Sequence, residues 1–198
     1  MNREEIIELT LKGISDSMEI YKKWTGGDWL WEAPEYLITV KIAETIGTIK
    51  FLKTGYITLE ENVEDSLNLA KAKGSSSEVS RKKGRYDILL WGKNGRPRAI
   101  IEVKNNVCSL NKVNKDIQRI IESLKRKELK STIEFGLIAF YTSTNQKQKM
   151  KLKLENMEKY LKENIKEDIA YKIFNKIVTP KHNEDTWASV VILLELKK

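Results

Sequence analysis

Apolar residues recur at helical spacing over residues 3–23, at Ile6, Ile7, Leu9, Leu11, Ile14, Met18, Ile20 and Tyr21, and predict an amphipathic helix despite Gly13. The stretch Trp24-Thr-Gly-Gly-Asp-Trp-Leu-Trp31 breaks it, with a glycine pair among three tryptophans. Such aromatics either cap a core where a loop crosses it or stack on bases. Pro34 suits the first position of a second helix, with Glu35 in the first turn, where the dipole favours an anion. That helix is expected to run to about Leu52 and to bury Leu37, Val40, Ala43 and Ile46. Strand patterns follow at Gly55–Leu59, on both sides of residues 94 and 95, at Ile133–Tyr141, and at Ala170–Val178 and Trp187–Leu196. Helical patterns near 111–129 and 146–164 separate the later strands. The result is an α/β chain without internal repeats, read as one domain.

The central pair of strands carries the chemistry. It reads Arg85-Tyr-Asp-Ile-Leu-Leu-Trp-Gly-Lys-Asn-Gly-Arg-Pro-Arg-Ala-Ile-Ile-Glu-Val-Lys104. Two apolar runs flank Asn94-Gly95, the signal of a type I′ hairpin turn, whose central positions both want positive φ. With Asn94 and Gly95 as the loop, Lys93 pairs with Arg96 and Asp87 lies opposite Glu102. Two like charges at such a position repel unless something neutralises them. Lys104 follows Glu102 by two residues and shares its face, while Ile88, Leu90, Ile101 and Val103 point the other way into a core. Two opposed carboxylates and an ammonium describe a hydrolytic site built around a divalent cation. Glu-x-Lys also occurs at Glu128-Leu-Lys130 and Glu195-Leu-Lys197, but neither copy has an acid placed opposite it by a hairpin turn.

Asp87 on one strand and Glu102-Val103-Lys104 on the next resemble the signature of the PD-(D/E)xK nucleases, the restriction endonuclease-like superfamily. Tyr86 stands where that signature has proline. The motif covers about a tenth of the chain. The resemblance implies an αβββαβ core, a central mixed sheet flanked by helices, here with N-terminal helical and C-terminal strand additions. Residues 1–33 would be the helical addition, 34–141 the catalytic core and 142–198 the C-terminal helix and strands. It implies Mg²⁺, with Mn²⁺ as substitute, held by Asp87, Glu102 and the Val103 carbonyl, and Lys104 acting on the attacking water or on transition-state charge. A further acid is expected from the preceding helix, with Glu35, Glu44 and Glu32 as the candidates. Glu35 and Glu44 are nine residues apart, about 900° of helical rotation, and face opposite sides. Glu35 is favoured, and Glu44 is read as a solvated position. The implied activity is a metal-dependent DNA endonuclease of restriction or phage-defence type, dimeric if two strands are cut together. The alternative is a catalytically silent module that binds nucleic acid or a protein partner.

Charge changes the picture more than composition does. The net charge is +8, yet residues 1–70 carry 7 Lys/Arg against 13 Asp/Glu, and residues 71–130 carry 17 against 6. The basic part surrounds the proposed site. Its Gly/Ser-rich stretch contributes Lys71, Lys73, Arg81, Lys82, Lys83 and Arg85, and the helix after Lys104 adds Lys112, Lys115 and Arg119. These are the candidate contacts to a phosphate backbone, where cations gain affinity by releasing counterions. Lys115 and Arg119, spaced i and i+4, would form one basic edge. A solvated helix face is the competing reading for each of them, as for Asp116 and Gln118. One cysteine, Cys108, excludes an internal disulfide and a cysteine-rich zinc site and reads as a buried structural thiol. One histidine, His182, excludes chemistry that needs two and reads as a surface loop residue. No P-loop occurs, so no nucleotide cofactor is expected. No apolar stretch approaches membrane-spanning length and no leader pattern opens the chain, which makes a cytoplasmic location the expectation.

Overall fold

The computed structural model describes residues 2–48, 55–72, 84–126, 131–180 and 185–197. Helix α1 (Arg3–Thr25) begins where the Asn2 side chain accepts the Glu5 N–H and ends at Gly26, whose φ of 80° closes the last turn. Gly13 is not merely tolerated inside it. A Cβ there would lie 2.6 Å from the Ile42 Cα, so its absence lets α1 and α2 (Glu35–Gly47) pack backbone to backbone. That approach sets the rotation of α2. It buries Ile38, Thr39, Ile42, Thr45 and Ile46, whereas Val40 is exposed and Leu37 and Ala43 are only half-buried. The expected buried face is therefore corrected by about one residue. Pro34 caps α2 from outside instead of opening it. The expected extension to Leu52 is not seen as far as the described residues go, since the helix ends at Gly47 and 49–54 lie outside them.

Among the described residues six strands form one mixed sheet in the order β1-β2-β3-β4-β6-β5. They are β1 (Ile57–Asn62), β2 (Arg85–Trp91), β3 (Pro97–Lys104), β4 (Phe135–Thr144), β5 (Ile169–Val178) and β6 (Thr186–Leu196). Only β3 and β4 run parallel, joined across the sheet by α4 (Asn114–Lys125). β1 lies two to three residues later than expected, because Glu60, Glu61 and Asn62 hide the strand pattern in polar residues. A short helix, α3 (Val63–Leu69), was not expected at all. Its signal was present: the Asn62 side chain accepts from the N–H groups of Glu64 and Asp65, both acids of the first turn. Helix α5 (Lys147–Asn164) lies where the charged helical pattern predicts it.

Both faces of the sheet are covered. Ile88, Leu90, Ile101, Val103, Leu137 and Val191 pack against α1 and α2. Leu89, Ile100, Ile138, Phe140, Val190 and Ile192 pack against α4 and α5. The face that carries Glu102 is thus itself buried, as the opposite face is. Trp29 and Trp31 stack on each other, ring centroids 5.1 Å apart, and lie against the first of these cores. No described helix is long and apolar enough to cross a membrane.

Candidate active site

The hairpin delivers the expected partners by a different route. Gly92 N–H donates to Arg96 C=O (2.8 Å) and Gly95 N–H donates to Gly92 C=O (3.0 Å), so the loop has three residues, Lys93, Asn94 and Gly95. Of these only Gly95 has positive φ, 67°. Asn94 avoids the left-handed region and its side chain accepts the Arg96 N–H instead. The expected two-residue type I′ turn is therefore wrong. The extra loop residue pairs Trp91 with Pro97, one position out of the expected register. A β-bulge at Arg98 then restores it, giving Leu90↔Ala99, Leu89↔Ile100 and Ile88↔Ile101 as expected.

Beyond Ile88↔Ile101 the strands part. β2 stays with β1 and β3 stays with β4. Asp87 bridges the opening with its side chain, Oδ2 accepting the Val103 N–H at 2.7 Å. In β1, Glu60 falls between the pairs Leu59↔Ile88 and Glu61↔Tyr86 and takes φ 55°. A non-glycine residue in that region is strained, and it sits beside the opening.

Glu102 continues along β3 into the interior. It is wholly buried, and neither of its oxygens receives a hydrogen bond from a described residue. Arg119 Nη2 lies 2.8 Å from its Oε2 as an ion pair. Burial, then repulsion by Asp87, raises the Glu102 pKa well above the ordinary carboxylate value despite Arg119.

Lys104 ends β3 between the two helical layers. Its Nζ donates to Glu35 Oε1 (3.0 Å) on one side and to its neighbour's carbonyl, Val103 O (2.9 Å). It also lies 3.8 Å from Asp116 Oδ2 and 4.0 Å from Asp87 Oδ2. Burial alone would lower its pKa, but Asp116, Asp87 and Glu35 outweigh that and leave it raised. The ammonium is firmly protonated at neutral pH.

Glu35 thus stands at the site, its Oε2 also accepting the Asn105 N–H at 2.9 Å. Glu44 pairs with Lys41 on the exposed side of α2. Asn105 fixes this arrangement, its amide donating to the carbonyls of Leu30 and Ala33 ahead of α2. Sequence reasoning missed Asn105, and nothing in its pattern marks it.

It also undervalued Asp116, read as solvated but largely buried, with a pKa that burial raises against the pull of Lys104 and Arg119. The signal that could have found it is the spacing Asp116, Arg119, Ser123, one helix face turned to the sheet. Arg119 does not share an outer edge with Lys115. Its Nη2 donates to Asp116 Oδ1 (2.6 Å) and it points into the cluster, because Ile120 draws that side of α4 onto the sheet. Lys71, Arg85, Lys112 and Lys115 are exposed. Lys73, Arg81, Lys82 and Lys83 lie outside the described residues, as do Glu128, Lys130 and His182. Cys108 is exposed, not buried, because the loop after β3 carries it over the surface.

The cluster gathers four acids, Glu35, Asp87, Glu102 and Asp116, around two cations, Lys104 and Arg119. Its formal charge with all six groups ionised is −2. Among the described residues no three acidic, histidine or cysteine side chains form a ready metal-binding group. No protein-family model, curated protein or solved structure matches the chain.

Proposed function

We propose that this chain is a Mg²⁺-dependent nuclease that hydrolyses phosphodiester bonds, with DNA as its first expected substrate and restriction or phage defence as its setting. The observation that carries the reading is Glu102: a wholly buried carboxyl group without a hydrogen bond, beside a second acid, in a cluster whose formal charge is −2 when all six groups are ionised. Burying such a group is costly unless a cation or a proton accompanies it. One divalent oxygen-seeking cation would neutralise the cluster. The succession of α2, β1, β2, β3, α4 and β4, interrupted by the short α3, follows the αβββαβ order of the PD-(D/E)xK nucleases that the hairpin resembles.

Asp87 and Glu102 would hold the cation, with Val103 C=O or Glu35 completing the set. When bound, it would make a coordinated water more acidic and screen the phosphate charge. Lys104, being firmly protonated, serves as a donor and positive charge toward the oxygens of the five-coordinate phosphorus and not as a base. Glu35 holds that ammonium in place, and Asn105 holds Glu35. Attack by water forms one P–O bond and breaks the ester P–O bond, the water giving up a proton to solvent and the leaving oxygen taking one up.

The catalytically silent alternative is favoured by one observation, Arg119 already resting on Glu102. The test is cleavage of plasmid, linear duplex, single-stranded DNA and RNA with Mg²⁺ or Mn²⁺, with EDTA controls. Lys104→Ala is expected to lower cleavage by about 10²–10³-fold with Mn²⁺ affinity retained, and Asp87→Ala to lower both. Salt-sensitive binding without metal-dependent cleavage would transfer the assignment to the silent module. Neither binding nor cleavage would remove nucleic acid from the reading altogether.

A further inference from the structure

Among the described residues, Arg119 supplies the cation in contact with the buried Glu102. The same nitrogen serves two carboxylates unequally. Toward Asp116 Oδ1 it makes a directed hydrogen bond of 2.6 Å, and toward Glu102 Oε2 an ion pair at 2.8 Å that is not a hydrogen bond. Lys104 meanwhile is engaged with Glu35 and the Val103 carbonyl.

The helix that carries Arg119 is fastened to the sheet on both sides of it. Gly136 on β4 has no Cβ, and one built there would fall 2.2 Å from Ile120 Cγ2, so α4 lies as close to the sheet as a helix can. Tyr86 Oη and Ser123 Oγ are 2.7 Å apart, and Ser123 Oγ donates to the Arg119 carbonyl. With its backbone held this way, the Arg119 side chain is the part free to exchange partners.

A guanidinium and a divalent cation cannot both lean on one buried carboxylate without strong repulsion, because little water screens them. We propose that Arg119 is a built-in competitor for the divalent cation at Glu102, and that Asp116 is the carboxylate that retains Arg119 when the cation takes its place. The proposal rests on the reading of Asp87 and Glu102 as the cation-holding pair. It makes Arg119 a positioning residue that weakens cation binding, and it gives Asp116 a purpose apart from holding the cation.

The experiment is calorimetric titration of Mn²⁺ into the wild-type chain, Arg119→Met, Arg119→Gln and Asp87→Ala, with folding of each checked by circular dichroism. Both neutral variants at 119 should bind Mn²⁺ about tenfold more tightly or better, since a nearby positive charge is removed. A residue that only braces the fold would move the affinity the other way or not at all. Should Asp87→Ala weaken binding while both variants at 119 match the wild type or bind less, the cation site stands and the competitor is overturned. Should Mn²⁺ bind to neither the wild type nor the variants at 119, the cation site itself fails and takes this inference with it. The glutamine variant keeps the test alive if methionine beside Asp116 prevents folding.

Discussion

Tyr86 precedes Asp87 on β2, and its hydroxyl is committed to Ser123 on α4. Burial, opposed by that hydrogen bond and reinforced by the Glu102 charge, pushes its pKa up to about 12. In an unfolded chain a tyrosine releases its proton near pH 10. The folded state therefore holds a proton that the unfolded state has lost between those values. This contribution to stability is intact below about pH 10 and disappears as pH climbs through about 12. Tyr86→Phe is expected to cost about 1 kcal/mol at pH 7 through the lost hydrogen bond, and to flatten the alkaline decline. Urea unfolding at a series of pH values from 7 to 12 measures both effects. Parallel declines in the two proteins above pH 10 would show that Tyr86 is not the residue responsible.

At the scale of elements, two differences of one residue cancel. The three-residue loop shifts the hairpin, and the bulge at Arg98 shifts it back before Asp87 is reached. The bulge is anchored from the residue just before β4, where the Glu134 N–H donates to the Arg98 carbonyl. Two glycines matter in the same way. Gly13 seats α2, and hence Glu35, while Gly136 seats α4, and hence Asp116 and Arg119. Gly136→Ala forces Ile120 away and is expected to cost about 1–3 kcal/mol, and on the proposed nuclease reading it also lowers cleavage, because α4 carries two members of the cluster. The rigid β-branched Ile120 cannot turn aside. Adding Ile120→Ala should therefore yield a double variant more stable than the sum of the two single losses predicts, measured as a double-mutant cycle. Strict additivity would mean that the contact is not what limits α4.

For the whole molecule, the decisive quantity is where the charge lies. Exposed Arg85, Lys112 and Lys115 flank the inward-facing acids Asp87 and Asp116 in the chain, while the cations nearest the buried carboxylate are already paired. Outer and inner cations should therefore separate in experiment. Lys112→Ala/Lys115→Ala is expected to reduce the slope of log affinity for duplex DNA against log salt by about two. The same variant should leave Mn²⁺ affinity unaltered. A loss of Mn²⁺ affinity would join these lysines to the cluster, and an unchanged slope would remove them from the nucleic-acid surface.

Local pattern was enough for most of the elements and for the conjunction of Asp87, Glu102 and Lys104. Hydrophobic period and strand alternation are properties of neighbouring residues, and a short hairpin converts sequence separation directly into distance. Glu35 was readable over Glu44 because the two acids lie on opposite faces of one helix. The rest depended on contacts between elements far apart in the chain. Only packing decided that Gly13 would bring α2 against α1, that Gly136 would draw α4 onto β4, and that Asp116 and Arg119 would turn inward. Only the second layer of helices made Glu102 wholly buried, since a strand's alternation says which face a residue occupies but not what covers that face. A charged residue on an amphipathic helix has the same local signature in water or against a buried carboxylate, and tertiary structure alone distinguishes the two.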